Sequence, residues 1–126
     1  MIRTIIPLSA LFLLTAQAAG GFAIGGENFA QADIIDARAL PELDGTAAIM
    51  FTFDPKAARR LEALTRSQAA KPLAVTLDGA TLASPVVPEP ITDGVLTIAG
   101  GFTMPQAEAL AKRISGKDPV PEEFEP

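Results

Sequence analysis

The sequence predicts an α+β fold with a mainly antiparallel sheet and two helices on one face, in the order β-β-α-β-β-β-α. Three observations predict this class. Apolar residues alternate with a period of two in several segments, Asp-Gly pairs separate neighbouring strands, and two helical stripes each follow a capping residue. The chain has 126 residues, the length of one domain.

The first residues have the features of a secretory signal peptide. A short basic start precedes an almost unbroken apolar run over residues 5–14, and Ala16-Gln17-Ala18 is a small-x-small cleavage pattern. A membrane anchor is the alternative, but the apolar run is shorter than the roughly 20 residues of a spanning helix and contains Pro7. We therefore expect residues 1–18 to be removed, leaving a periplasmic protein without a membrane span.

The first half of the mature chain is predicted to form a lead-in and a hairpin. Residues 19–31 are glycine-rich and lack the Lys-Ser/Thr of a phosphate-binding loop, so we expect a flexible lead-in. Residues 33–40 have an ambiguous periodicity, but the Asp44-Gly45 turn makes a hairpin with residues 46–53 the simplest account. The second of these segments alternates clearly and places two phenylalanines on one face.

A helix and a second hairpin follow. Asp54 is expected to cap the helix, with Pro55 at its first position. The apolar stripe of this helix consists of Ala57, Ala58, Leu61 and Leu64. Beyond Lys71-Pro72, alternating apolar residues predict a strand, and Asp78-Gly79 is a strong hairpin signal because a type I′ turn needs positive φ at both central residues. The next strand resumes at Leu82.

The last third combines a proline-rich connection, a strand and a helix. The strand covers residues 95–98, and Gly100-Gly101 is expected to end it. Thr103 and Gln106 fit a capping box, and Gly116 is well placed as the C-terminal cap. The helix stripe consists of Ala107, Leu110, Ala111 and Ile114. The domain is thus predicted to span residues 32–116, followed by an acidic, proline-rich tail over 117–126 that we expect to be extended and largely disordered.

Composition excludes several kinds of chemistry. Without histidine or cysteine there is no Ser-His-Asp triad, thiol nucleophile, disulfide or ordinary zinc site. The remaining combinations are weak: Ser67 with Lys71, the carboxylate pairs Asp33/Asp36 and Glu42/Asp44, and a calcium site from Asp78, Glu89 and Asp93. We therefore predict no catalytic residue, metal or cofactor. The formal net charge of −5 also disfavours nucleic acid as a partner.

A binding role is easier to motivate. The candidate surface consists of Val86, Val87, Glu89 and Ile91, in a connection stiffened by three prolines. Because proline lacks a backbone donor, such a segment favours a sheet edge, where an extended polypeptide could add a strand. The alternative is that the prolines protect the edge from aggregation and that the valines reach the core.

Several segments together resemble the head subdomain of the large periplasmic domain of SecD, the membrane subunit that assists the Sec protein-export channel. These are residues 53–65, 71–79 with Leu77-Asp78-Gly79, 84–87 with Ser84-Pro85, 89–92 with Pro90-Ile91, and 98–103 with Gly101-Phe102-Thr103. The similarity covers roughly Ala32 to Gly116. SecD continues into transmembrane helices that carry its proton pathway, and residues 19–126 contain no second long hydrophobic segment, so we expect no coupling of proton flow to export by these residues.

The resemblance implies a non-enzymatic role in protein export. The family's head is thought to hold emerging, unfolded polypeptide, and it supplies no catalytic or cofactor residues. The leading hypothesis is therefore binding of exported polypeptide or of a partner protein, in connection with an inner-membrane export complex. The alternative is a structural or regulatory accessory that docks onto a membrane complex without binding unfolded substrate. A small hydrolase is the third hypothesis, which the missing residue types disfavour.

Overall fold

The computed structural model describes residues 21–121. The expected signal peptide over residues 1–18 and the end of the tail, residues 122–126, lie outside the described part. The elements are β1 Phe22–Ile24, β2 Glu27–Phe29, a 3₁₀ turn Gln31–Asp33, β3 Ile34–Pro41, β4 Ala47–Phe53, α1 Pro55–Ser67, β5 Val75–Leu77, β6 Ala80–Ala83, β7 Val95–Phe102 and α2 Met104–Ser115.

The α+β class is confirmed, and the strands divide between two antiparallel sheets. One has the order β2-β1-β5-β6 and the other the order β3-β4-β7. Both helices bury their apolar stripes in one core, which also contains the inward residues of the three-stranded sheet. Within it, α2 packs on β3 and β4, while α1 contacts β4.

The prediction of a flexible lead-in over residues 19–31 is wrong for the described part of that segment. Residues 22–29 form the β1–β2 hairpin, and Phe22, Ile24 and Phe29 are buried in the core. Gly25 and Gly26 make the turn with φ of 59° and 86°, a region that favours glycine. The glycines therefore shape a tight turn between two strands rather than loosen the chain.

The β3–β4 hairpin is confirmed, and a bulge explains why the periodicity of β3 is ambiguous. The register shifts between Ile34 and Asp36, so that Ile34 pairs with Phe53 and Ala37 pairs with Phe51. The extra residue lets Ile34 and Ala37 both face the core although they are three apart. It also turns Asp36 towards the opposite face of the sheet.

The helix termini agree with the sequence. Asp54 Oδ1 accepts from the Ala57 amide at 2.7 Å at the start of α1. Thr103 and Gln106 form the predicted capping box at the start of α2, and Gly116 ends it with φ of 77°. The Asp78-Gly79 turn also forms, with positive φ at both residues. Strand boundaries differ in two places: β6 begins at Ala80 rather than at Leu82, and β7 continues through Gly100-Gly101 to Phe102.

The beginning of the tail is held against the fold. Lys117 Nζ donates to the Ile34 carbonyl at 2.7 Å, and the Val120 amide donates to Asp36 Oδ1 at 2.6 Å. The expectation of a disordered tail is therefore wrong for residues 117–121. The Ile34 carbonyl and the Asp36 side chain, both on β3, provide the anchor, and the sequence of the tail alone does not reveal these distant partners.

Candidate functional site

The proline-rich connection between β6 and β7 is an ordered, extended segment. It runs beside the chain that leaves α1: the Leu73 amide donates to the Pro85 carbonyl at 2.8 Å, and the Ala70 amide donates to the Val87 carbonyl at 3.1 Å. Pro72 lies opposite Val86 as an antiparallel bridge. One edge of the connection is therefore already paired within the chain.

The four candidate residues divide into an outward and an inward pair. Val86 is 57% exposed and Glu89 is also exposed. Val87 and Ile91 are partly buried and pack against the core. Two of the four candidate residues therefore lie at the surface, and the three apolar residues do not form one continuous exposed patch.

A buried hydroxyl fixes the second half of the connection. The Ile91 amide donates to Thr65 Oγ1 at 2.9 Å, and Thr65 is almost fully buried on α1. Next to Ile91 the surface forms a shallow cavity of about 340 Å³, lined by residues of the connection and the start of β7. Glu89 and Asp93 contribute the carboxylates, and Asp93 Oδ1 accepts from the Val95 amide at 3.1 Å. This is a polar, open surface rather than an enclosed ligand pocket.

Three of the four acidic residues considered for catalysis have structural partners for their side chains. Asp33 Oδ2 accepts from the Ala30 amide at 2.8 Å and also contacts Arg60. Asp36 binds Arg38 through Oδ2 at 2.7 Å. Asp44 accepts from both the amide and the hydroxyl of Thr46, and the hydroxyl hydrogen bond lowers the pKa of the Asp44 carboxyl. Asp33, Asp36 and Asp44 are thus each engaged in local hydrogen bonds or ion pairs that account for their positions in turns and on β3.

The other weak candidates are not assembled either. Asp78 accepts from the Gly21 amide at 2.8 Å and pairs with Arg113. Between residues 21 and 121, no cluster of three or more acidic, histidine or cysteine side chains could hold a metal ion. Ser67 donates its hydroxyl to the Leu64 carbonyl at 2.9 Å, as is common at a helix end.

Sequence reasoning missed a second polar feature, the pair formed by Asp36 and Arg38 on the outer face of β3. Both side chains contact the backbone of Val120. A signal was available, because residues two apart on a strand share a face and opposite charges there can pair. What the sequence could not show was the return of residue 120 to this strand.

Comparison with known proteins identifies the fold and the family. The family model described as "SecDF, P1 head subdomain" matches residues 22–117. The protein translocase subunit SecDF of Thermus thermophilus is 37% identical over 91 residues, covering 71% of this chain and 12% of that protein. The SecD subunit of Dictyoglomus turgidum is 33% identical over 78 residues, covering 61% of this chain and 20% of that protein.

A solved structure supports the same assignment. It describes a membrane component SecDF that enhances protein export, and it matches with a TM-score of 0.63 and 33% identity over 76% of this chain and 46% of that one. The chain thus spans only a fifth or less of the length of the two translocase subunits above. In the described part, none of the helices has the length and apolar character needed to cross a bilayer. The chain belongs to the SecDF P1 head subdomain family.

Proposed function

We propose that this chain is a non-enzymatic periplasmic protein that binds exported polypeptide, or a partner protein, in connection with protein export. The proposed surface consists of Val86, Val87, Glu89 and Ile91. Family membership supports the link to export, because the relatives are translocase subunits. The observation that carries the choice of surface is the side chain of Val86, which is 57% exposed on a backbone held on one side by hydrogen bonds.

The contacts define how a polypeptide would bind. One edge of the connection is paired with residues 70–73, and Pro85, Pro88 and Pro90 contribute no backbone donors to the other. Strand addition would therefore find few donors, and we expect side-chain contacts to dominate. Val86 supplies the apolar contact, while Glu89 favours a ligand with basic residues nearby.

Composition supports the non-enzymatic role, and the proposed leader supports the periplasmic location. The chain has no histidine or cysteine, and the four carboxylates considered for catalysis at Asp33, Asp36, Glu42 and Asp44 lie in turns or on β3. The leader proposed for residues 1–18 would deliver the chain across the inner membrane. Because the relatives are protein translocase subunits, we propose an inner-membrane export complex as the partner.

The rigid geometry of the connection favours a second candidate function. Thr65 and the pairing with residues 70–73 fix Val86 before any ligand arrives. A preformed surface suits one defined partner, because little rearrangement is needed on binding. The chain would then act as a structural or regulatory accessory that docks onto a membrane complex without binding unfolded substrate.

Suppression of aggregation separates these functions. A polypeptide holder should reduce the aggregation of an unrelated denatured protein, and Val86→Asp should weaken the effect by several-fold. Leu43→Asp is the matched control, since Leu43 is fully exposed in the β3–β4 turn region. Equal suppression by both variants would reject the proposed surface. No suppression by the wild-type protein, together with capture of one defined protein after cross-linking, would support the accessory.

A further inference from the structure

The sheet edges in the described part of the chain are covered in different ways. Arg60 covers β2, donating from Nη2 to the Asn28 carbonyl at 2.6 Å and from Nε to Glu27 at 2.7 Å. Strands β6 and β7 lie against each other, so that a Cβ added at Gly100 would be 2.8 Å from the Leu82 carbonyl. The edge of β3 is instead approached by residues 117–121, which belong to no helix or strand. That cover can leave without disrupting an element of the fold.

At β3, the side chains of Asp36 and Arg38 both bind the backbone of a single residue, Val120. Asp36 Oδ1 accepts from the Val120 amide at 2.6 Å, and Arg38 Nη2 donates to the Val120 carbonyl at 2.6 Å. The two side chains also bind each other, with 2.7 Å between Arg38 Nε and Asp36 Oδ2. Together they satisfy the same two backbone groups that a neighbouring strand would satisfy. With residues 117–121 in place, Asp36 is only 7% exposed, so the segment and the pair pack closely together.

Space for neighbouring side chains lies beside this pair. A surface cavity of about 400 Å³ adjoins it, lined by Ile35, Leu40, Met50 and Thr52. Val120 also lines this cavity, and the residue is 48% exposed. The side chain of the bound residue is therefore not enclosed, and the backbone contacts do not depend on its identity.

We propose that Asp36 and Arg38 form a binding site for the backbone of an extended polypeptide, which residues 117–121 occupy in the closed state. The chain's own segment shows the geometry that an incoming polypeptide would adopt. Removing this segment would open both the pair and the adjoining cavity. The inference rests on the proposed function only in the class of ligand, because this surface differs from the one around Val86.

A labelled peptide with the sequence of residues 117–126 tests the site on the full chain. The variant Val120→Pro lacks the amide that Asp36 accepts from, so its own segment competes less well with the peptide. We expect fluorescence anisotropy to show at least about tenfold tighter peptide binding to Val120→Pro than to the wild type, since hydrogen bonds to charged groups carry such a factor. Adding Arg38→Ala should weaken that binding by at least about tenfold.

Two controls keep the test specific. A peptide with N-methylvaline at the position of Val120 lacks the same donor and should bind Val120→Pro at least about tenfold more weakly. Lys117→Ala removes the contact with Ile34 and should also favour the added peptide, which covers the case that Val120→Pro fails to fold. Equal affinities for the wild type and both opened variants, or for both peptides, would overturn the proposal.

The outcome is separable from that of the proposed function. Val86→Asp, combined with Val120→Pro, should leave the affinity for the peptide unchanged. A loss of peptide binding in that double variant would place the peptide at the Val86 surface and contradict a site at Asp36 and Arg38. The aggregation assay with Val86→Asp reports on the other surface alone.

Discussion

The backbone amide of Ile91 donates to the hydroxyl of Thr65 at 2.9 Å, and this bond joins the proline-rich connection to the buried face of α1. Thr65 is 1% exposed, and its hydroxyl donates in turn to the Leu61 carbonyl at 2.8 Å. The hydroxyl thus both accepts and donates a hydrogen bond, which satisfies its donor within an otherwise apolar stripe. The arrangement explains why a polar residue follows Leu61 at i+4 on the core side of the helix.

Replacing Thr65 by valine should lower the free energy of unfolding by about 1–3 kcal/mol. Valine has nearly the same shape, but it leaves the partly buried Ile91 amide without an acceptor. Urea denaturation measures the change. Thr65→Ser is the control, because it keeps the hydroxyl and should retain most of the stability. Equal losses in the two variants would show that the methyl group matters and the hydrogen bond does not.

The glycine turn of the first hairpin allows a matched comparison. Gly25 and Gly26 both have positive φ, but only a Cβ at Gly25 would meet Leu73, at 2.9 Å. Gly26→Ala should therefore cost about 1 kcal/mol from the backbone conformation alone. Gly25→Ala should cost roughly 1–3 kcal/mol more, because it also overpacks the core. Thermal unfolding of both variants tests this, and equal melting temperatures would mean that Leu73 moves aside freely.

The ionised form of Asp36 should stabilise the fold in a pH-dependent way. The hydrogen bond from Arg38 holds the pKa of the Asp36 carboxyl below its ordinary range, with the Val120 amide and the charges of Arg38 and Lys117 acting in the same direction against burial. Since the pKa is lower in the folded state, the stabilisation is present above about pH 4 and is lost as the pH falls through the folded-state pKa.

Asp36→Asn checks this dependence. At pH 7 the variant should lose about 1–3 kcal/mol of unfolding free energy, because a charged acceptor becomes neutral. The difference from the wild type should shrink as the pH falls below about 4. Both proteins should carry Asp44→Asn, since the pKa of Asp44 is also lowered, through its hydrogen bond with the Thr46 hydroxyl. A difference that stays constant from pH 7 to low pH would contradict the assigned role of the charge.

Features set by neighbouring residues were predictable from the sequence. The Asp54 cap, the Asp78-Gly79 turn and the capping box at Thr103 depend on a few consecutive residues, and all three are confirmed. The pairing of β3 with β4 is equally local, because a short turn joins them.

Features set by distant pairing were not predictable. Strand β1 pairs with β5, roughly fifty residues away, so residues 22–24 form a strand only once Val75 and Leu77 lie beside them. The pairing of β1 with β5 cannot be predicted from the sequence of residues 19–31 alone. The tail anchor at Asp36 is non-local in the same way, and so is the division of the candidate surface, in which Val87 faces the core and Val86 faces outward.

Photo-cross-linking in cells from position 86 tests the central proposal most directly. A photoreactive residue at Val86 should capture many unrelated exported polypeptides, while the same residue at the exposed position of Leu43 should capture few. Mass spectrometry of the trapped proteins separates the outcomes. A single dominant protein at position 86 would contradict polypeptide holding and favour the docking accessory. Equal capture at both positions would contradict a binding surface around Val86.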